Sequence, residues 1–167
     1  DVLVDGAEIH AVAPNLRSVK AEREIEASGK ILFPGMVCSH HHYYSGLARG
    51  VIAELGPMPD FVSVLRELWW RMDRAHDVET LAASSLICSL DAIRSGTTAV
   101  VDHHASPSCI TGSLNVLKEG FESAGLRGSS CYEVTDRHEE EGMLEGIEDD
   151  RSFARSIDEE KRGGSWS

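Results

Sequence analysis

Short β-type runs open the chain and enclose a turn signal. Val2–Val4 and Glu8–Val12 lie on either side of Asp5-Gly6, a residue pair that favours tight hairpin turns. This pattern predicts a β-hairpin belonging to a small sheet. The polar stretch 15–30 then alternates charged residues with others, and we expect a solvated edge strand and loop there, with no function of its own.

Runs with strand spacing alternate with runs of helical spacing over the rest of the chain. The β-type runs are Ile31–Val37, Thr97–Val101 and the segment LRGSSCYEVTDR at 126–137. Each is followed by a segment whose apolar residues recur at helical spacing. Ile31–Val37 is predicted to be buried, with a Pro-Gly break inside it. The alternation predicts an α/β fold in which crossover helices join parallel strands.

Capping and stop signals set the expected helix boundaries. Asp60 and Asp77 can cap two successive helices, the second of which ends at Gly96. Gly125 ends the next helix, and an acidic helix is expected from about Glu139 onward. The segment 50–60, which ends at the first cap, is rich in Gly and Pro and is predicted to be a loop.

Three consecutive histidines stand at the end of the first of these strands. In a β-strand, residues two apart project to the same face, so His40 and His42 would present two imidazoles side by side while His41 points away. Two such nitrogens can chelate one divalent cation, and imidazole suits zinc or iron. The alternative is that a polar triplet at a strand end forms hydrogen bonds with loops. The Pro-Gly break and the strand-end position favour metal ligation.

The residues around the triplet carry a family resemblance. FPGMVCSHHHYYSGLARG resembles the P-G-x-[VI]-x-x-H-x-H segment of the amidohydrolase superfamily, in particular its cytosine and guanine deaminase and triazine chlorohydrolase branch. LICSLDAIRSGTT, DHHASP and CYEVTDR further resemble aminohydrolases of the SsnA type. The similarity covers nearly the whole chain.

The resemblance implies a fold and a metal site. It implies the N-terminal part of a TIM-like (β/α)8 metallo-hydrolase barrel, about its first three β/α units, at 34–167, preceded by part of a small β domain at 1–33. It implies one divalent metal ion, zinc as first choice and iron as second, ligated by His40 and His42. The other ligands and the general acid and base are expected beyond Ser167. We therefore expect a fragment that is inactive alone.

Polar residues also follow the other two strands. Asp102, His103 and His104 are predicted to line the substrate pocket or support the metal site, with loop hydrogen bonds and helix capping as the alternative. Glu133 could hold a basic heterocycle, although a structural hydrogen bond is the safer interpretation.

The composition limits the classes of molecule that the protein is expected to bind. The formal net charge of −12 argues against a nucleic-acid surface and favours a small heterocyclic substrate. Apolar runs are too short for a membrane span and no signal peptide is recognisable, so we expect a cytoplasmic protein without a membrane partner. The four scattered cysteines are predicted to be reduced thiols in the core, and homo-oligomerisation of the intact protein stays open.

The functional hypothesis combines these observations. The parent protein is predicted to be a metal-dependent hydrolase of non-peptide carbon–nitrogen bonds, an aminohydrolase of a purine-like or other amidine-bearing heterocycle. Its metal would activate water for attack on the ring carbon bearing the amino group. Hydrolysis of a C–Cl bond or a cyclic amide on the same scaffold, and a catalytically inactive truncated fragment, remain alternatives.

Overall fold

The chain folds into two units, residues 1–34 and 35–167, and the computed structural model describes residues 1–50 and 54–162. The first unit contains the predicted hairpin. Strand β1 (Val2–Asp5) pairs antiparallel with β2 (Glu8–Val12), and Gly6 adopts a positive φ of 57° in the turn between them. Only glycine adopts that conformation at no steric cost, which explains the Asp-Gly signal.

The predicted edge strand within 15–30 is wrong. The described structure of this segment has one 3-10 turn, Leu16–Ser18, and no strand. A strand needs a partner or a packed face, and the alternating run 22–27 offers Ile25 alone as a large apolar residue among its charges. Ile25 is itself 72% exposed.

The second unit is built on a three-stranded parallel sheet. Strands β3 (Met36–His41), β4 (Thr97–His104) and β5 (Arg127–Tyr132) lie in that spatial order. The connecting and following helices are α1 (Phe61–Val64), α2 (Trp70–Asp73), α3 (Val78–Arg94), α4 (Ser113–Ser123) and α5 (Glu139–Arg162). A π-helical turn, Leu65–Trp69, joins α1 to α2. The predicted α/β class with parallel strands is confirmed at this level.

Strand β3 differs from its prediction in position and burial. It begins at Met36 rather than at Ile31, because Pro34 has no N–H to donate to a ladder. It is not buried either: Met36 and Val37 are each 62% exposed. The reason is that β3 is an edge strand of this sheet.

Strand β4 extends three residues beyond its predicted end at Val101. Val100, Asp102 and His104 alternate on one face and are at most 2% exposed. Val101, on the other face, is 45% exposed. The polar run is expected to end the strand, but the strand continues because the carboxylate of Asp102 accepts hydrogen bonds from Tyr43 and Ser130, as described below.

Helices α3 and α4 pack through small residues and an apolar core. The predicted caps are confirmed, since Asp60 accepts from the N–H of Ser63 and Asp77 forms a capping box with Thr80.

Of the four cysteines, Cys88 is buried in the core and Cys131 is exposed, so the core-filling prediction is wrong for Cys131. The main core cluster contains Tyr43, Cys88, Val100, Ile110, Leu114, Leu117, Phe121, Leu126 and Tyr132.

Candidate metal centre

His40 and His42 bring two ring nitrogens together at the carboxyl end of β3. Their Nε2 atoms are 3.0 Å apart, and the rings are nearly perpendicular with centroids separated by 4.7 Å. Two nitrogen ligands of a tetrahedral zinc ion would lie about 3.3 Å apart, since each Zn–N bond is ~2.0–2.1 Å long. The observed spacing is therefore close to that of two imidazoles that share one cation.

A backbone carbonyl orients His42. Its Nδ1 atom lies 2.8 Å from the carbonyl oxygen of His103 on the neighbouring strand β4. A carbonyl only accepts, so Nδ1 carries the proton of the neutral ring and Nε2 keeps its lone pair. This is the arrangement by which metal-binding histidines are usually fixed.

His41 lies apart from this pair, as strand alternation predicts. Its ring packs on Tyr43 at a centroid distance of 4.5 Å, and its Nδ1 is 4.0 Å from Oδ1 of Asp102. Burial lowers the pKa of His41, and the neighbouring imidazoles of His42 and His40 lower it further. The His41 ring therefore belongs to a different environment from the two facing imidazoles.

Asp102 lies on the buried face of β4 and forms hydrogen bonds with two other segments of the chain. Its carboxylate accepts from the backbone N–H of Tyr43 at 2.7 Å and from Oγ of Ser130 at 2.9 Å. Burial raises the pKa of Asp102 to about 6, against the lowering effect of these hydrogen bonds. These contacts tie β4 to β5 and to the turn after the histidine triplet, which matches the structural alternative for this residue.

His104 is also on the buried face and is fully enclosed. Its Nε2 is 2.7 Å from Oγ of Ser106, which itself donates to the carbonyl of Cys109. Burial lowers the pKa of His104 to about 3, so the ring is neutral. Its contacts fix the loop after β4.

His103 is the member of this run that lies beside the two facing imidazoles. Its ring is edge-on to that of His42 at a centroid distance of 5.5 Å. Its Nδ1 is buried and has no hydrogen-bond partner in the described part of the chain. Of the three polar residues at the end of β4, the structure therefore brings only His103 to the histidine pair.

A cavity of about 380 Å³ opens beside His42. Four aromatic side chains line it, those of Tyr44, Phe61, Trp69 and Trp70. Tyr44 and Trp69 also contact the His42 ring, at centroid distances of 5.6 and 5.9 Å. Tyr43 is instead wholly buried in the core, so of the two tyrosines only Tyr44 lines the cavity. Aromatic walls beside a polar end suit a planar ring.

The comparison with known families decides what this arrangement belongs to. The model of the amidohydrolase family matches residues 31–165, which contain the histidine pair, the cavity and all three parallel strands. The chain belongs to the amidohydrolase family.

Curated relatives of this amidohydrolase chain are deaminases. It is 29% identical to the 5-methylthioadenosine/S-adenosylhomocysteine deaminase of Thermococcus onnurineus, over 90% of this chain and 36% of that protein. It is 26% identical to the 5'-deoxyadenosine deaminase of Methanosarcina barkeri, over 83% of this chain and 30% of that protein. The chain thus spans about a third of the length of the curated relatives it matches.

A solved structure is similar to this chain in three dimensions. A mutant of the atrazine chlorohydrolase TrzN from Arthrobacter aurescens, complexed with zinc and atraton, matches with a TM-score of 0.61 and 27% identity. The match covers 78% of the amidohydrolase chain and 30% of TrzN.

Glu133 lines the same cavity but is already paired. Its carboxylate forms an ion pair with Arg137, the last residue of the CYEVTDR segment, to which the sequence analysis assigns no role. The spacing of four residues between opposite charges was the available signal, although it is usually read on helices. The ion pair agrees with the structural interpretation of Glu133, and a role in holding a heterocycle stays a prediction.

Asp73 is a second residue that sequence reasoning missed. It lines the cavity and is 3% exposed, and its Oδ1 has no hydrogen-bond partner among the residues described. Burial raises its pKa to about 6, although Arg137, 4.0 Å away, lowers it. The available signal was a carboxylate four residues after Trp69, where the apolar stripe of the helix would continue.

Within the described ranges 1–50 and 54–162, no group of three or more His, Cys, Asp or Glu side chains is arranged to hold a metal ion. The two facing imidazoles are therefore a two-ligand arrangement.

No helix of the described chain is long and apolar enough to cross a membrane.

Proposed function

We propose that this chain carries part of the active site of a metal-dependent hydrolase that acts on non-peptide carbon–nitrogen bonds. His40 and His42 are proposed to ligate one divalent metal ion, zinc first and iron second. The observation that carries the proposal is the 3.0 Å approach of their Nε2 atoms beside an aromatic-lined cavity. Membership of the amidohydrolase family and a zinc-bound structural neighbour support it.

The donor set fits such a metal. Both donors are imidazole nitrogens, which suit zinc and iron, and the His103 carbonyl leaves Nε2 of His42 available. Catalytic zinc sites typically use three protein ligands. We propose that this unit is the first part of a TIM-like barrel, and that the remaining ligands and the proton-transfer groups belong to the portion of the relatives that has no counterpart in this sequence.

The bound metal would supply a water of lowered pKa, ~7 for zinc. The residues of the chain orient the substrate and restrict water. Tyr44, Trp69 and Trp70 offer flat apolar surfaces for a heterocycle, and Asp73 places a carboxylate in the same wall. Burial of these groups strengthens each polar contact that a bound ring would make.

An amino-bearing purine-like ring is the proposed substrate. The deaminases of Thermococcus onnurineus and Methanosarcina barkeri are named for adenosine derivatives, which carry an exocyclic amino group. The chlorohydrolase neighbour keeps C–Cl hydrolysis as a second candidate. Screening the intact parent protein separates the two, because deamination releases ammonia and dechlorination releases chloride.

The metal assignment is tested by a matched set of variants. We expect His40→Ala and His42→Ala each to weaken Zn²⁺ binding by at least about 100-fold, since loss of a mere supporting contact already costs ~10–100-fold. His41→Ala is the matched control and should bind Zn²⁺ like the wild type. Competition with a chromophoric chelator gives the affinity, and elemental analysis gives the stoichiometry.

Co²⁺ provides an independent readout, because its visible spectrum depends on the ligands bound. The spectrum should change in the His40 and His42 variants and persist in His41→Ala. Wild-type metal stoichiometry in the double variant His40→Ala/His42→Ala would overturn the assignment.

A further inference from the structure

One helical segment supplies most of the lining of the cavity beside His42. The segment runs through α1, the π-helical turn and α2, and it contributes Phe61, Leu65, Trp69, Trp70 and Asp73 to the cavity. Single π-helical turns inside α-helices are frequent at functional sites. The carboxylate of Asp73 therefore belongs to the same wall as three aromatic rings.

Tyr44 and Trp69 form an aromatic corner of this cavity. Their ring centroids are 6.2 Å apart, and the two rings are inclined at 76°. The face of an aromatic ring carries partial negative charge and attracts a cation that lies within about 6 Å of its centre. The guanidinium carbon of Arg137 already lies 4.9 Å from the centre of the Trp70 ring in the same cavity. The lining is therefore of a kind that binds cations.

The charged side chains of the lining do not cancel. Among the residues described, they are the carboxylates of Asp73 and Glu133 and the guanidinium of Arg137. Glu133 takes the close contact with Arg137, whereas Oδ2 of Asp73 is 4.0 Å from a terminal nitrogen of that guanidinium. Arg74 also acts on Asp73, but its side chain is exposed to water, which screens its charge. One guanidinium thus faces two carboxylates, and a net negative charge remains when both are ionised.

Asp73 has a buried oxygen that is able to accept a further contact. The residue is 3% exposed, and its Oδ1 has no hydrogen-bond partner within the ranges that the structure describes. Burial of an ionised carboxylate is unfavourable unless a hydrogen-bond donor or an opposite charge compensates it. A ligand that brings a positive charge into the cavity would supply that compensation.

We propose that the cavity beside His42 binds a positively charged group, either a cationic ring nitrogen or an alkylated ammonium substituent, with Asp73 as its counter-ion. Tyr44 and Trp69 are its aromatic walls, and alkylated ammonium groups are ligands that aromatic cages characteristically bind. The inference rests on the proposed function for the reaction and adds the substrate class, which is amino-bearing heterocycles that carry a positive charge. Asp73 and Trp69 are the specificity-determining residues.

Pairs of probes with the same shape isolate the effect of charge. 1-Methylnicotinamide and 3-methylbenzamide differ in one ring atom, a cationic nitrogen against a carbon. Choline and 3,3-dimethylbutan-1-ol differ in the same way at an alkylated ammonium. Binding to the whole chain is measured by ligand-observed NMR at about pH 8, where a carboxyl group with a pKa of about 6 is ionised. A chelator is present throughout, so that no metal contributes.

We expect the cationic member of at least one pair to bind about tenfold more tightly than its neutral isostere. The pair that shows the preference distinguishes a cationic ring from an alkylated ammonium. Asp73→Asn keeps the shape of the side chain but removes its charge. It should reduce the preference to about threefold or less, and the affinity for the neutral isostere should stay within about twofold of wild type.

Glu67→Gln is the matched control, since Glu67 lies in the π-helical turn of the same segment and does not line the cavity. It loses the same charge as Asp73→Asn but should keep the wild-type preference. Far-ultraviolet circular dichroism confirms that both variants fold.

Fluorinated tryptophan gives an independent readout of the aromatic wall. Fluorine withdraws electron density from the ring face and weakens its attraction for a cation. Trp166→Phe leaves Trp69 and Trp70 as the labelled residues. The affinity for the cationic probe should fall with each added fluorine, whereas the affinity for the neutral isostere should not follow the same trend.

Equal affinities within both pairs, absence of binding by both cationic probes, or a preference that survives Asp73→Asn would each overturn the proposal. An equal loss in Glu67→Gln, or a cation affinity that does not respond to fluorination, would overturn it as well. Failure of the metal assignment is distinguishable, because His40→Ala removes a proposed ligand that does not line the cavity and should keep the cation preference.

Discussion

The Nδ1 atom of His42 lies 2.8 Å from the carbonyl oxygen of His103, across the junction between β3 and β4. The acceptor is a backbone atom, so the fold itself sets the tautomer of the imidazole. The His103 side chain lies near the same histidine, edge-on at 5.5 Å, but contributes nothing to this hydrogen bond.

Replacing His103 with alanine should therefore leave the Zn²⁺ affinity within about threefold of wild type, because the carbonyl that orients His42 remains. Chelator competition measures the Zn²⁺ affinity, and His42→Ala is the comparison variant in which that affinity should be lost. In the metal-free chain, nitrogen NMR should find the neutral His42 ring protonated at Nδ1.

Two results would contradict this explanation. A loss of ~10–100-fold in His103→Ala would mean that the imidazole of His103 supports the metal directly. Protonation of His42 at Nε2 would mean that the carbonyl does not fix the ring.

Local signals predicted the framework of the fold because their partners lie a few residues away. The side chain of Asp77 reaches the N–H of Thr80 within one helical turn, and Gly96 adopts its positive φ of 80° directly after α3. The same holds for the facing of His40 and His42, which follows from strand alternation. Their role as metal ligands stays a prediction.

The features that the sequence did not predict depend on contacts between residues that are distant in sequence. Asp102 and His103 are adjacent in the chain but belong to opposite faces of β4, and only the true extent of the strand separates them. The strand continues through Asp102 because Tyr43 and Ser130 satisfy its carboxylate. The sequence around Asp102 does not indicate those partners. The sequence around Asp73 likewise does not indicate that Arg137 approaches it.

Asp149 links α5 to the start of α4 and should contribute substantially to stability. It is 5% exposed and accepts from the backbone N–H of Gly112 at 2.6 Å and from Oγ of Ser113 at 3.1 Å. Asp149→Ala leaves these donors buried without an acceptor. We expect the free energy of unfolding, measured by urea titration, to fall by about 1–3 kcal/mol.

Asp158→Ala serves as the control, since Asp158 is an exposed carboxylate on the same helix. It should change the free energy of unfolding by less than about 0.5 kcal/mol. Equal effects of the two substitutions would show that the loss arises from helix α5 in general and not from the cap on α4.

His104 should make the stability of the chain depend on pH. Burial lowers the pKa of its imidazole from 6.5 to about 3, so the unfolded chain binds this proton more readily than the folded chain. The stability that neutral His104 contributes is complete above about pH 6.5 and is lost as the pH falls toward about 3. His104→Gln keeps an N–H for Ser106 but cannot take up a proton in this range.

The free energy of unfolding of His104→Gln should therefore fall less steeply than that of wild type between about pH 6.5 and pH 4. The difference in slope should approach about 1.4 kcal/mol per pH unit, which corresponds to one proton. Urea titrations of both proteins across this range measure it, and all other groups cancel in the comparison. Parallel curves would mean that His104 is protonated as easily inside the folded chain as outside it, which its complete burial beside Ser106 should prevent.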